Sequence, residues 1–271
     1  MTQPREQYTM GYGPAATAIM GQRTARSHAA FLLPYLKPGM SLLDCGCGPG
    51  TITVDFAEIL APGEVVGTEI EDAQVKIARH HAGSRGVSNA RFEVGSIYSL
   101  PFPDNTFDAV FTSAVLGNLR EPLRGLRETF RVLKPGGVIG VKEFDHGGDI
   151  VYPIDAGLQR FSDLYVRLRR EHGHDGESGR KIGTFLNAVG FHRLKINASY
   201  ENVSEPQMLS AVAKLNIGLL AEGWAEEFKS RNWATADDCA EMIESWEKFS
   251  VTPGALLAFT WCEAIAFKEG I

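Results

Sequence analysis

No run of apolar residues in this chain approaches the roughly 20 that a helix needs to cross a bilayer. The longest uncharged apolar stretch, Pro253 to Cys262, falls well short. Nor is there a block of Lys or Arg, and 27 basic against 33 acidic side chains leave a net charge of −6. That balance argues against binding nucleic acid or an anionic membrane through bulk charge. The densest basic stretch, Arg167, Arg169 and Arg170, is short and answered by Glu171 and Asp175, so it reads as a solvated helix end. Cysteine is scarce, with only Cys45, Cys47, Cys239 and Cys262. A lone C-x-C without a second ligand pair is a poor zinc signature, so free buried thiols and no metal are expected. Met1 to Gly11 lacks the apolar centre of a secretory signal, which makes the cytoplasm the default compartment. Repeats and low-complexity tracts are also missing.

What is present is the composition of a soluble globular protein, with 271 residues, 44% hydrophobic and 22% charged. Short runs rich in Val, Ile, Leu and Phe at Ser41–Cys45, Glu64–Glu69, Ala90–Gly95, Thr106–Ser113 and Gly137–Phe144 read as buried strands. Helical spacing separates them at Thr51–Leu60, Asp72–Ser84 and Pro122–Leu133, the last stopped by Lys134-Pro135-Gly136-Gly137. Such alternation predicts an α/β, Rossmann-like three-layer sandwich with a mostly parallel sheet. Upstream, Ala15–Leu36 reads as one long helix. Downstream, Ile150–Arg170 and Gly179–Val189 read as helices, Phe191–Tyr200 as a strand, Glu205–Phe249 as largely helical, and Ala255–Phe267 as a closing antiparallel strand. The chain thus divides into an N-terminal lid segment and helix (1–40), a ligand-binding core (41–146) and the rest of the sheet (147–271). Helical insertions at about 147–177 and 202–253 are the natural material for a substrate cap.

The strongest local motif is Leu42-Leu43-Asp44-Cys45-Gly46-Cys47-Gly48-Pro49-Gly50-Thr51, a strand running into a glycine turn and then a helix. Glycine lets the backbone turn tightly and approach a ligand at the carboxyl edge of the sheet. A dinucleotide site wants G-x-G-x-x-G, but here the third glycine falls at 50 and position 51 is Thr. A phosphate-binding Gly-Lys-Ser/Thr is absent as well. Asp44 would repel a pyrophosphate and suits a ligand carrying an ammonium or sulfonium. Glu69 ends the second strand, where a carboxylate can accept hydrogen bonds from ribose hydroxyls.

These residues resemble the class I S-adenosylmethionine-dependent methyltransferases, and among them the ubiquinone/menaquinone-biosynthesis C-methyltransferases. The likeness spans roughly Ser41 to Phe144. It is carried by the glycine motif, Val66-Gly67-Thr68-Glu69, Phe92-Glu93-Val94-Gly95-Ser96-Ile97, Phe107-Asp108-Ala109-Val110-Phe111 and Leu133-Lys134-Pro135-Gly136-Gly137. The resemblance implies S-adenosylmethionine as cofactor, with S-adenosylhomocysteine as product. By the same carry-over, Gly46 and Gly48 would lie along its methionine part, Glu69 on the ribose, Ile70 on the adenine face and Ile97 at the base through its N–H. Thr112 would touch the amino acid moiety through its backbone, and Tyr8 would close over the cofactor as a lid residue. Ser96 stands where the family usually has Asp, so its contact with the adenine amino group is expected to be weaker. Met10 stands where similar chains often have His, and no role of that histidine carries over.

Catalytic candidates cluster after the fifth strand. His146 suits a general base, or else belongs to a plain polar loop before Gly147 and Gly148. Asp145 should also face the pocket mouth, as a catalytic group or as a binder of a substrate hydroxyl or amine. His172 and His174 read as an exposed loop, and the Leu/Met stripe of the insertions (Met208, Leu209, Val212, Leu215, Leu219, Leu220) reads more as core than pocket. The fourth strand leads into Thr112-Ser113-Ala114-Val115-Leu116, without the Asn/Asp-Pro-Pro-Tyr/Phe of enzymes that methylate nucleobase amines. The expected activity is therefore methyl transfer to an O, N, C or S nucleophile of a small, moderately apolar metabolite, with no nucleic-acid partner and no membrane span. A homodimer is one assembly compatible with the sequence. The alternatives are a macromolecule (RNA or protein) methyltransferase, a non-catalytic cofactor-binding protein, and a nicotinamide oxidoreductase, which would need a glycine at Thr51.

Overall fold

The computed structural model describes residues 8–270. The start of the lid segment, and most of the stretch in which no secretory signal was expected, lie outside the described residues. Parallel strands β1 (Leu42–Cys45), β2 (Val65–Glu69), β3 (Ala90–Val94), β4 (Phe107–Ser113) and β5 (Leu133–Phe144) alternate with helices. They pair in the order β3-β2-β1-β4-β5. Strands β6 (Ile150–Tyr152), β7 (His192–Val203) and β8 (Leu256–Phe267) complete the sheet. β8 pairs antiparallel with β5, β6 and β7, so it alone runs against the rest.

Helix α1 (Pro14–Met20) and helix α2 (Ala25–His28) replace the single long helix expected over Ala15–Leu36. Gly21 caps α1, and Thr24 is extended, with φ −128° and ψ 163°, and shares a capping box with Ser27. These local bonds outcompete continuation of the helix, and Pro34 confines Leu33–Tyr35 to a 3₁₀ turn. Helices α3 (Thr51–Leu60), α4 (Asp72–Ser84) and α5 (Pro122–Val132) follow the apolar spacing closely.

The expected helix over Ile150–Arg170 is also corrected. Its first residues form edge strand β6, Pro153 disfavours helix in the residue before it, and α6 (Ala156–Glu171) starts only where Asp155 accepts from the Leu158 N–H. Then come α7 (Ile182–Val189), α8 (Pro206–Leu219), α9 (Ala225–Ser230) and α10 (Ala236–Val251).

Side chains alternate across the sheet with period two. On one face Leu43, Val110, Ile139 and Val141 pack under α5 and α7, while on the other Leu42, Ala109 and Val138 meet α2, Leu32 and α3. A separate apolar cluster joins α6, α8 and α10 through Phe161, Leu215, Met242, Trp246 and Phe249. No helix among the described residues is long and apolar enough to cross a membrane. All four cysteines are free.

Candidate functional site

The glycine turn opens at the carboxyl edge of β1. Gly46 has φ +75°, and a Cβ there would lie 2.3 Å from Val115 Cγ2, so only glycine fits both the dihedral and the space. At Gly48, φ +53°, a Cβ would meet only Met20 Sδ at 3.8 Å, leaving that edge of the turn open toward the cavity. The Gly46 and Cys47 N–H groups donate to Thr68 O, which locks the turn against β2.

Asp44, Gly46, Gly48, Glu69, Ile70, Ser96, Ile97 and Tyr8 line one cavity beside this turn, together with Tyr12, Met20, Arg23, Val115 and Asn118. Thr112 does not line it. Its side chain is fully buried, and the neighbours Phe111 and Ser113 border the space instead. Asp44 is buried and accepts a 2.6 Å bond from Thr53 Oγ1 of α3, while burial pushes its pKa up to about 7. The Glu69 carboxylate accepts from the N–H groups of Gly48 (3.1 Å), Ile70 (2.7 Å) and Glu71 (3.2 Å). Burial raises its pKa too, against the pull of those bonds. Ser96 Oγ accepts from the Tyr98 N–H at 3.3 Å.

The donor set fits S-adenosylmethionine. Two buried carboxylates face a cavity whose floor is glycine, where a ribose diol and an ammonium or sulfonium would be matched. A pyrophosphate would be repelled.

Tyr8, Arg23 and Ala114 also border a second cavity of about 840 Å³. Its floor is the sheet, with Phe144 of β5, Leu257, Phe259 and Trp261 of β8, and Glu201 and Val203 of β7. Its walls are Phe161, Tyr165 and Arg169 of α6 and Met208, Val212 and Leu215 of α8. Several members of the stripe read as core thus face a chamber, whereas Leu209, Leu219 and Leu220 stay within the apolar cluster.

His146 lines this chamber, stacked on Phe144 with ring centroids 4.8 Å apart and meeting Tyr165 edge-on. Its Nδ1 lies 2.7 Å from Asp149 Oδ2, and Asp149 Oδ1 accepts from the Thr260 N–H. A carboxylate on Nδ1 selects the Nδ1–H tautomer and leaves Nε2 with a free lone pair. Asp149 was missed by the sequence reading, although an acid three residues beyond a candidate base is a visible signal.

Asp145 does not face the pocket mouth. The β5 pleat turns Glu143 and Asp145 to the side opposite Phe144, where Arg180 grips Asp145 with Nε and Nη2 at 2.8 and 2.6 Å and its own N–H at 2.8 Å. Burial works against the charge, but this grip holds the Asp145 carboxyl below its ordinary range. Glu143 takes the N–H groups of Val115 (2.8 Å), Leu116 (2.7 Å) and Gly117 (3.2 Å), bracing the loop that borders the cavity beside the glycine turn.

Three further expectations change. Arg169 is no solvated helix end: it is 1% exposed, donates to Gly117 O and Asn118 Oδ1, and lies 4.4 Å over the Phe144 ring. His172 and His174 are buried rather than in an exposed loop, and both Nδ1 atoms meet the Thr9 hydroxyl, at 3.0 and 2.9 Å.

Residues 36–168 match the family profile of a methyltransferase domain. A protein of Aspergillus luteorubrus named probable methyltransferase ltbC is 40% identical over 96% of this chain and 97% of its own length. The ubiquinone/menaquinone biosynthesis C-methyltransferase UbiE of Idiomarina loihiensis is 36% identical over 68% of this chain and 75% of its own. Among solved structures, the 4+2 cyclase SpnF superposes with a TM-score of 0.54 at 26% identity, covering 94% of this chain and 81% of that one.

Proposed function

Because the chain belongs to the class I S-adenosylmethionine-dependent methyltransferases and is similar to the ubiquinone/menaquinone-biosynthesis group, we propose that it methylates a small conjugated acceptor through an acidic hydroxyl bound in the 840 Å³ chamber. S-adenosylmethionine is the cofactor, and when bound it supplies a methyl group already activated by the sulfonium for in-line displacement. In this reading Glu69 would hold the ribose, Ile70 and Ile97 the adenine, and Asp44, Gly46 and Gly48 the methionine end. Ser96 contributes a neutral acceptor near the base. Tyr8, on the border of both cavities, closes over the junction and excludes water. Helices α6 and α8 serve as the substrate cap.

The observation that carries the proposal is the His146–Asp149 pair at 2.7 Å on the chamber wall. Nε2 takes the proton of the acceptor hydroxyl while Asp149 holds the ring and stabilises the imidazolium. Electron density freed on that oxygen reaches the conjugated carbon as well, so the same base serves O- or C-methylation. An apolar chamber of this size matches a small-molecule acceptor rather than a polymer.

The test is turnover on a panel of phenols with methyl-labelled cofactor. His146→Gln is expected to lower kcat by about a hundredfold or more. Asp149→Asn, whose amide would favour the wrong tautomer, should cost at least about tenfold. Binding of S-adenosylhomocysteine should stay near the wild-type value in both. Unchanged kcat in His146→Gln would remove the base. Mass spectrometry separates transfer, which adds a methyl group to the product, from a cyclisation such as the name of SpnF describes, which conserves mass.

A further inference from the structure

His28, at the end of α2, is 5% exposed and lines the chamber. Its Nδ1 meets Ser27 Oγ at 2.9 Å, but its Nε2 is buried without a hydrogen-bond partner among the described residues, 3.8 Å from Glu201 Oε2. Glu201 lines the same chamber from β7 and is fixed by the Trp261 Nε1–H at 2.9 Å. A buried polar atom left unpaired loses its hydration without replacement, and an acceptor molecule of matching polarity would restore the missing bond.

The position of this pair bears on its use. His28 meets Trp261 edge-on at 5.7 Å, Trp261 lies 6.2 Å from Phe144, and Phe144 stacks on His146. Two aromatic rings of the sheet floor therefore separate the His28–Glu201 pair from the His146–Asp149 pair. Phe144 and Trp261 are register partners on adjacent strands, so this spacing is set by the sheet itself.

We propose that His28 and Glu201 form a second recognition subsite that reads a hydroxyl at the far end of the acceptor, so that the acceptor is a flat, apolar, conjugated molecule with hydroxyls at both ends. This rests on the chamber being the acceptor site. A hydroxyl satisfies either tautomer of His28: it accepts from Nε2–H while donating to Glu201, or it donates to the bare Nε2. Burial, with Arg23 and Lys142 nearby, lowers the His28 pKa to about 3 and keeps the ring neutral. An ammonium would suit only one tautomer and would meet the Arg23 guanidinium, 5.4 Å over Trp261.

The test is calorimetric titration of the protein loaded with S-adenosylhomocysteine. The probes are para-phenylphenol and the corresponding biphenyl diol with a second para hydroxyl on the far ring. The diol is expected to bind about tenfold tighter, one hydrogen bond to a buried group being worth on that order. His28→Phe and Glu201→Gln should each bring the ratio to within about twofold. Glu201→Gln, at a part-exposed strand position, keeps the test open if the α2 corner does not tolerate His28→Phe. Equal binding of the two probes to wild type, binding of neither, or a ratio that survives both substitutions overturns the subsite. Its failure is distinct from failure of the base. A tenfold wild-type ratio that is lost in the His28 and Glu201 variants, together with turnover indifferent to His146→Gln, removes the base and supports the subsite.

Discussion

At the scale of single residues, orientation decides between neighbours that the sequence makes equivalent. Asp145 and His146 are adjacent polar groups at the end of β5, yet pleat parity sends one to Arg180 and the other to the chamber. Asp44 shows the same control of chemistry by place. Its pKa of about 7 is caused by burial, so near neutrality and without ligand Asp44 is a mixture of neutral and charged forms. A cationic ligand binds the ionised form better, and below that pKa binding must first release a proton. Affinity for S-adenosylmethionine is therefore expected to rise by up to about tenfold per pH unit from pH 5.5 toward 7, then level off. Calorimetry across that range checks it, and Asp44→Asn should flatten the curve.

At the scale of elements, the loop after β4 is held from beneath. Glu143 of β5 collects three consecutive N–H groups from Val115, Leu116 and Gly117, and Arg169 of α6 donates to the carbonyl that follows, Gly117 O. The loop that borders the cavity beside the glycine turn is thereby tied to the helix that walls the 840 Å³ chamber. Burial raises the Glu143 pKa to about 7 even so. Because the raised value favours the neutral folded form, Glu143 costs stability as pH climbs from the unfolded carboxylate range through about 7. In Glu143→Gln the amide nitrogen would face an N–H, leaving a buried donor unpaired at about 1–3 kcal/mol. A lower Tm with weaker S-adenosylhomocysteine binding is the expected outcome, read by thermal denaturation with and without ligand. The strand and helix positions of the cofactor half were legible because each signal, apolar run or glycine turn, lies within about a dozen residues. The breaks at Gly21–Thr24 and at Pro153–Asp155 were visible as residues too, but only the capping bonds show that they win over helical continuity.

At the scale of the whole molecule, distant segments meet over the junction of the two cavities. Tyr8 borders both, and its neighbour Thr9 is buried between His172 and His174 at the far end of α6. The hydroxyl has a single proton, so it can donate to one imidazole Nδ1 while accepting from an Nδ1–H of the other. Burial lowers the His174 pKa to about 4 and keeps that ring neutral. Thr9→Val removes both bonds and strands two buried nitrogens, with a cost of about 1–3 kcal/mol. Faster amide exchange around Tyr8–Gly11 and a several-fold loss of S-adenosylhomocysteine affinity should follow, and exchange mass spectrometry reads the first directly. Unaltered exchange there would show that this contact does not hold the segment down.

The sequence by itself determined the α/β class, the strand–glycine turn–helix at Asp44 to Thr51, the acid at the end of β2 and the family, because all of these are local patterns written in contiguous residues. Tertiary structure alone decided that Arg169, His172 and His174 are buried, that Asp145 is engaged elsewhere, and that half of an apolar stripe faces a chamber. Those outcomes depend on pleat parity, on where capped helices stop, and on contacts between residues more than a hundred positions apart, such as Thr9 with His174 and Asp149 with Thr260. Periodicity records which side of an element is apolar. Only the packed fold determines whether that side meets another side chain or an open space.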